Sequence, residues 1–206
     1  MKTARLEVGI ALIFWALVLG GGAGSVFGRP LADRTVVVMS TAGHGSGVIL
    51  DSRTVLTAQH VVLAPLAIGD PNFVVRDTAG HEHAVVGCIL DLYCDAAILF
   101  VSPRLTCRGA LKLSHSASLV GDSILCFGTP YLPEWLPCTF YGCIVQTKVA
   151  VPSIWPQTTI IDAHLGPGCS GGGVFLRGEL YGICVGAVGD LGIVLPVSEL
   201  YDLLHR

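Results

Sequence analysis

Charged side chains are scarce in this chain. Asp, Glu, Lys and Arg make up 13% of its 206 residues, about half the share found in typical soluble domains. The formal net charge is -3 and the isoelectric point is about 6.1, so the sequence offers no basic surface of the kind that binds nucleic acid. Internal repeats, low-complexity tracts and runs of like charge are also lacking. The length then suits one ordinary domain, or two small barrels that share a cleft.

The sequence also lacks a CxxC pair, the spacing typical of many zinc sites, and we expect neither a metal nor a cofactor. His81 and His83 alternate on one face of a strand and could bind a metal, but no third ligand is evident and a polar hairpin is favoured. An even number of cysteines permits disulfides in an exported protein, although the pairing cannot be deduced from the sequence. The eight cysteines are Cys88, Cys94, Cys107, Cys126, Cys138, Cys143, Cys169 and Cys184.

From residue 34 onward, short apolar runs alternate with Gly, Asp, Asn, Pro and Ser. Strands at such regular spacing, separated by turn residues, indicate an all-β barrel or sandwich. Ser198 precedes residues 199–204, which we predict to be a short C-terminal helix with a serine cap. The predicted strands are residues 36–39, 47–50, 54–56, 73–76, 82–86, 96–101, 111–113, 123–127, 139–148, 158–161, 174–176, 180–185 and 192–196.

A glycine-rich loop presents one serine. Residues 166–172 read G-P-G-C-S-G-G and run into an apolar strand, which predicts a sharp loop that exposes the Ser170 hydroxyl. A serine becomes a nucleophile only when a base takes its proton, and acyl transfer also needs N–H groups aimed at the oxyanion. The amides of Gly168 and Ser170 are candidates for that second role. A plain turn without chemistry is the alternative for this loop taken alone.

Two upstream residues complete a candidate triad. His60 follows a strand at the start of a short apolar turn, where its imidazole can be held facing a cleft. Asp95 opens an unbroken apolar strand, and a buried carboxylate needs a partner such as an imidazole N–H. The order His60, Asp95, Ser170 therefore predicts nucleophilic catalysis by a serine.

These segments resemble the trypsin-like (chymotrypsin-fold) serine proteases, and within them the HtrA/DegP-type branch. That branch carries S-G-S-G, then T-x-x-H-V, then a D-L-A-L-L-like box and finally P-G-N-S-G-G-P, and the counterparts here are residues 45–48, 57–61, 95–99 and 159–172. The resemblance implies two six-stranded antiparallel β-barrels, about 33–102 and 110–197, with the active site at their interface and a short C-terminal helix. It also implies a serine endopeptidase that acts on a protein or peptide through an acyl-enzyme.

The chain departs from the family pattern beside the nucleophile. Cys169 stands where this branch has Asn and the digestive enzymes have Asp, so activation through a salt bridge to a new N-terminus is not expected. Some viral relatives use a cysteine nucleophile, but here Ser170, not Cys169, directly precedes Gly171 and Gly172. Gly173 replaces the usual proline, and Gln59 precedes the histidine where a small residue is common.

The resemblance also assigns a substrate pocket. His164 lies six residues before Ser170, at a position that lines the primary specificity pocket of this fold. Substrate main chain is expected to pair with Val185 and Gly186 as an added β-strand. We expect no acid at the base of the pocket, and therefore a small to medium apolar residue before the cut rather than Lys or Arg. His44 and His115 receive no role.

The N-terminus resembles a signal sequence. Lys2 and Arg5 precede an apolar run at residues 8–19, and small residues follow at 20–25. We expect residues 1–28 to be a signal peptide or a signal anchor ahead of a protease domain at 29–206. In the first case the protein is exported, periplasmic or secreted; in the second, residues 8–27 hold it in a membrane. Little sequence follows the second barrel, so we expect no PDZ domain.

Two alternatives to proteolysis stay open. One is a catalytically silent barrel kept as a binding or regulatory module, which requires the oxyanion loop to be collapsed. The other is an exported β-barrel protein unrelated to proteolysis, which requires that all the motifs coincide by chance.

Overall fold

The computed structural model describes residues 31–91, 93–107, 110–130, 137–151 and 155–205. The predicted signal segment at 1–28 lies outside the described residues, as does part of the connection between the two predicted barrels, at residues 108 and 109. Within the described ranges, no helix is both long enough and apolar enough to cross a bilayer.

The first six strands form a closed antiparallel barrel with the order β1-β2-β3-β6-β5-β4. Its interior is filled by β-branched and leucine side chains, among which Val36, Val55, Val75 and Leu99 are fully buried. Such side chains pack well on a pleated surface. The strands are β1 Thr35–Ser40, β2 Gly43–Ile49, β3 Thr54–Thr57, β4 Val74–Arg76, β5 Glu82–Leu90 and β6 Ala97–Ser102.

The next six strands form a second closed barrel with the order β10-β11-β12-β9-β8-β7, which is also antiparallel. Ile144, Ile161, Val174 and Val194 are fully buried inside it. The strands are β7 Ser123–Gly128, β8 Cys138–Val151, β9 Trp155–Asp162, β10 Gly173–Leu176, β11 Glu179–Val188 and β12 Leu191–Pro196. The predicted pair of six-stranded barrels is confirmed.

A third apolar cluster joins the two barrels. It contains Leu56 and Ile98 from the first barrel together with Phe127 and Phe175 from the second. The two phenylalanine rings meet edge to face with centroids 5.6 Å apart, the arrangement that aromatic pairs favour. Because this shared core fixes one barrel against the other, loops from both can build a rigid cleft.

Two local predictions were wrong, and the predicted C-terminal helix is confirmed without its serine cap. Residues 59–68 form a ten-residue helix, α1 Gln59–Ile68, rather than a short turn. The run at 111–113 is not a strand and contributes one isolated bridge, from Leu113 to Leu180. At the C-terminus a 3-10 turn, Val197–Leu200, precedes α2, Tyr201–Leu204, and no side chain caps either element. Ser198 lies inside the 3-10 turn, so it cannot be the cap.

Candidate active site

His60 and Asp95 are brought together by strand pairing. β3 pairs with β6 in a register that sets Thr57 opposite Ala97, so the chain leaving β3 lies beside the chain entering β6. The His60 backbone N–H donates to Asp95 Oδ1 at 2.9 Å, and His60 Nδ1 lies 2.7 Å from Asp95 Oδ2. Since a carboxylate accepts, Nδ1 carries the proton and Nε2 is left with the lone pair of a base.

In the His60–Asp95 pair, the carboxylate is mostly buried and the imidazole is partly open to solvent. The Asp95 side chain is 13% exposed, whereas the His60 side chain is 46% exposed. A buried carboxylate that accepts two hydrogen bonds is well compensated for the loss of water. The imidazole is therefore anchored at Nδ1 while the rest of the ring reaches solvent.

The Ser170 loop is tied to both barrels. Its carbonyl oxygen accepts from the Ser46 backbone N–H at 2.7 Å, and the next amide, of Gly171, donates to the Cys184 carbonyl at 2.7 Å. Gly171 has φ of 84°, and a Cβ there would overlap the Ser46 carbonyl oxygen and Thr57 Oγ1, so only glycine fits. The loop thus lies directly against the chain that leads into His60.

The serine hydroxyl itself is unengaged in this conformation. Within the described ranges it makes no hydrogen bond, and none joins it to His60. Hydrogen bonds of this kind are often long before substrate binds and shorten in the complex. The serine and histidine predicted to act together are therefore not hydrogen-bonded to each other in this conformation.

The amides of the loop differ in their hydrogen bonding. The Cys169 N–H donates to the Gly166 carbonyl at 3.1 Å and the Gly172 N–H to the Cys169 carbonyl at 2.9 Å, which makes two successive tight turns. By contrast, the N–H groups of Gly168 and Ser170 donate to no acceptor in the part of the chain that the structure describes. These are the two amides that the sequence analysis assigned to the oxyanion.

Sequence reasoning missed the polar side chains behind this loop. Ser46 Oγ donates to the Gly168 carbonyl at 2.6 Å, and the Thr129 N–H donates to Ser46 Oγ at 2.8 Å. His44, to which no role was assigned, donates from Nε2 to the Thr129 carbonyl at 3.0 Å. The G-S-G-V motif contains Ser46, but nothing in the sequence linked Ser46 to Thr129, which lies 83 positions away.

The predicted pocket residues lie on two neighbouring segments. Val185 is the extra residue of a β-bulge in β11, where Cys184 pairs with Val194 and Gly186 pairs with Ile193. Bulges redirect a strand and are common beside active sites. On the opposite side, Leu165 lies against Gly192, where a Cβ would be 2.7 Å from Leu165 Cδ1.

His164 has an acidic partner that the sequence did not reveal. Its Nδ1 lies 3.1 Å from Asp190 Oδ1, and the two side chains are 82% and 88% exposed. A pair this exposed contributes little to stability. It does place the Asp190 carboxylate beside His164, a residue of the predicted pocket.

Cys169 is poorly suited to act as a nucleophile. Its side chain is buried, and desolvation raises the pKa of the thiol to about 11. A thiolate, not a thiol, is the reactive form. Cys169 and Cys184 are both free thiols. The hydrogen bond between the Cys184 and Cys126 thiols is the largest cause of a raised pKa of the Cys184 thiol, and burial adds to it.

The remaining candidate histidines belong to a hairpin far from the loop in sequence. His83 is buried, with Nδ1 2.9 Å from the Pro103 carbonyl and Nε2 3.5 Å from Asp77 Oδ2. His81 is exposed and reaches the same carboxylate oxygen at 3.2 Å. Both histidines thus contact the Asp77 carboxylate. The described residues contain no group of three or more His, Cys, Asp or Glu side chains placed so that they could hold a metal ion.

Known proteins share this sequence and fold. The family model of the trypsin-like peptidase domain matches residues 45–183. A serine protease described as HtrA-like, from Staphylococcus haemolyticus, is 32% identical over 182 aligned residues, which cover 79% of this chain and 28% of that protein. The chain therefore spans just over a quarter of the length of this relative.

Solved structures agree on the fold. The inactive form of a serine-to-alanine variant of Rv3671c from M. tuberculosis superposes with a TM-score of 0.73 at 24% identity, covering 92% of this chain and 91% of that one. The HtrA-type protease AlgW with a tripeptide superposes with a TM-score of 0.71 at 23% identity, covering 88% and 63%. At such low identities the likeness shows the fold alone.

Proposed function

This chain belongs to the trypsin-like peptidase family, and we propose that it is a serine endopeptidase in which His60, Asp95 and Ser170 form the catalytic triad. The observation that carries the proposal is the 2.7 Å contact between His60 Nδ1 and Asp95 Oδ2. The serine loop supports it, because Gly171 lies against Thr57 and Ala58, which directly precede the histidine segment. Family membership supports proteolysis, and this geometry supports the triad.

The chemistry follows from the positions of these groups. His60 Nε2 takes the proton of the Ser170 hydroxyl as its oxygen attacks the carbonyl carbon of the scissile peptide. The N–H groups of Gly168 and Ser170 stabilise the resulting oxyanion, and the imidazolium then gives its proton to the leaving amine. Water repeats the sequence on the acyl-enzyme and releases the acid. Asp95 holds the imidazole in the tautomer that makes Nε2 the base.

Substrate main chain can be received by β11. Its neighbour β10 pairs with it only as far as Ile183, so that edge lacks a strand partner from Val185 onward among the described residues. An unpaired edge accepts an extended peptide as an added strand. Val185 and Gly186 are therefore proposed to bind the residues before the cut. Leu165 against Gly192 favours a small to medium apolar side chain in the pocket, with His164 at its rim.

We also propose that residues 1–28 direct export and that the protease domain spans 29–206. The segment combines basic residues, an apolar run and small residues. Cell fractionation with N-terminal sequencing of the product separates a cleaved signal peptide from a retained anchor. A full-length cytosolic protein would contradict both versions.

A catalytically silent binding module is the second candidate. The unbonded Ser170 hydroxyl favours it, because no activated serine is assembled in this conformation. Incubation of the folded full chain with a peptide library, read by mass spectrometry, distinguishes the two. Cleavage by the wild type and by Cys169→Ala, but not by Ser170→Ala, is the result expected of the protease. Absence of new termini with the wild type would favour the silent module.

A further inference from the structure

A buried pair of hydroxyls joins the two barrels behind the serine loop. Ser46 on β2 and Thr129 just after β7 are both fully buried. The Thr129 N–H donates to Ser46 Oγ at 2.8 Å, and the two hydroxyl oxygens are 2.9 Å apart. Ser46 Oγ in turn donates to the Gly168 carbonyl at 2.6 Å. Every polar atom of this small network therefore has a partner, as a rigid buried network requires.

The network fixes the peptide group that follows each of the two candidate oxyanion donors. The Gly168 carbonyl is held by Ser46 Oγ, and its peptide partner, the Cys169 N–H, is held by the Gly166 carbonyl. The Ser170 carbonyl is held by the Ser46 backbone N–H, and its peptide partner, the Gly171 N–H, is held by the Cys184 carbonyl. Ser46 thus donates hydrogen bonds to the carbonyls on both sides of Cys169, from its hydroxyl to Gly168 and from its backbone N–H to Ser170.

These two hydrogen bonds matter because the loop is intrinsically flexible. Gly168 has φ of 92°, and glycine crosses between backbone regions at little cost. Without a tie on its carbonyl, rotation about Gly168 would turn its own N–H, and the following amides, away from the cleft. A hydrogen bond from a buried hydroxyl stabilises the bonded conformation by about 1 kcal/mol or more.

We propose that Ser46 and Thr129 are positioning residues that hold the oxyanion loop with the Gly168 and Ser170 amides facing the cleft. The inference rests on the proposed serine protease function, in which those amides stabilise the oxyanion. Ser46 belongs to the first barrel and the loop to the second, so the arrangement also makes the oxyanion site depend on the contact between the barrels.

The test compares Ser46→Ala and Thr129→Val with a matched control, Thr158→Val. Thr158 is also fully buried and its hydroxyl donates to one carbonyl, of Val149, at 2.9 Å, but it lies on β9 rather than behind the loop. Thr129→Ser keeps the hydroxyl and serves as the conservative rescue. Thermal melting of each full-length variant checks that it remains folded.

The first readout is hydrogen exchange of the Cys169 and Gly171 amides, which does not depend on activity. We expect exchange to accelerate by about tenfold or more in Ser46→Ala and Thr129→Val, and to stay unchanged in Thr158→Val and Thr129→Ser. Unchanged exchange in Ser46→Ala would overturn the positioning role, whatever the enzyme does.

The second readout separates kcat from KM. We expect kcat in Ser46→Ala to fall about 10- to 100-fold, less than for outright loss of an oxyanion donor, with KM changed by less than about twofold. The affinity for a peptide boronate, whose adduct occupies the oxyanion site, should fall in parallel. A rise in KM with constant kcat, or an equal loss of kcat in Thr158→Val, would refute the inference. A wild type without turnover would instead refute the proposed function, while the exchange result still decides the role of Ser46.

Discussion

Replacing Gly171 by alanine should destabilise the protein far more than the same change at Gly178. Both glycines have φ of 84°, so the strain that alanine adds to the backbone is the same, about 1–2 kcal/mol. At Gly178 an added Cβ meets nothing within 4 Å, whereas at Gly171 it overlaps the Ser46 carbonyl oxygen and Thr57 Oγ1. The comparison therefore isolates the close approach of the two barrels.

The additional loss at Gly171 can be estimated from the bonds it disturbs. To relieve the overlap the loop must move, which weakens the 2.7 Å bond from the Gly171 N–H to the Cys184 carbonyl. It also disturbs the 2.7 Å bond from Thr57 Oγ1 to the Ser46 carbonyl. At about 1 kcal/mol for each bond, Gly171→Ala should lose about 3–4 kcal/mol of unfolding free energy, against about 1–2 kcal/mol for Gly178→Ala.

Denaturant unfolding of the two variants and the wild type measures this difference. Gly171→Ala should also lose peptidase activity, because the loop that carries Ser170 is displaced. Equal losses of unfolding free energy in the two variants would refute the reasoning, since they would show that Gly171 is not in close contact with Ser46 and Thr57.

Further predictions concern the triad, the buried thiols and the pocket. Asp95→Asn should lower kcat by about 10⁴-fold while the fold is kept, because the amide favours the wrong imidazole tautomer; steady-state kinetics measures it, and a loss below tenfold would contradict the role. Burial raises the pKa of the Cys94 and Cys169 thiols from 9.0 to about 11. The folded state keeps these protons while unfolded thiols ionise, so their contribution to stability is complete below pH 9 and is lost as the pH rises to 11. Denaturation from pH 8 to 11 should show this decline, and Cys169→Ala should reduce it; an unchanged slope would contradict the assignment. His164→Ala should change the unfolding free energy by less than about 0.5 kcal/mol but alter the cleavage-site profile. An unaltered profile would show that the His164–Asp190 pair does not contact the substrate.

The sequence was sufficient for the barrels and for the positions of the main site residues because each has a local signature. Strands separated by turn residues predict a barrel, and the segments around His60, Asp95 and Ser170 are short motifs that need no knowledge of distant contacts. The two barrels are confirmed by the structure. The roles of the three residues remain predictions for experiment.

The features that the sequence did not predict are mostly contacts between distant parts of the chain. The ten residues of α1 are apolar nearly throughout and include Pro65, so their sequence shows no helical periodicity. The Ser46 network joins residues 83 positions apart, and nothing in the sequence links Asp190 to His164. Ser198 resembled a helix cap, but it lies inside a 3-10 turn that begins after Pro196, so its side chain is not at a cap position.

The most direct test of the central claim is labelling of the folded full chain with a fluorophosphonate, followed by peptide mapping. We expect one adduct, on Ser170, which persists in Cys169→Ala and is lost in His60→Ala, because only a serine activated by a neighbouring base attacks this reagent. An adduct on another residue, or none in protein shown to be folded, would contradict the claim that His60, Asp95 and Ser170 form a working triad.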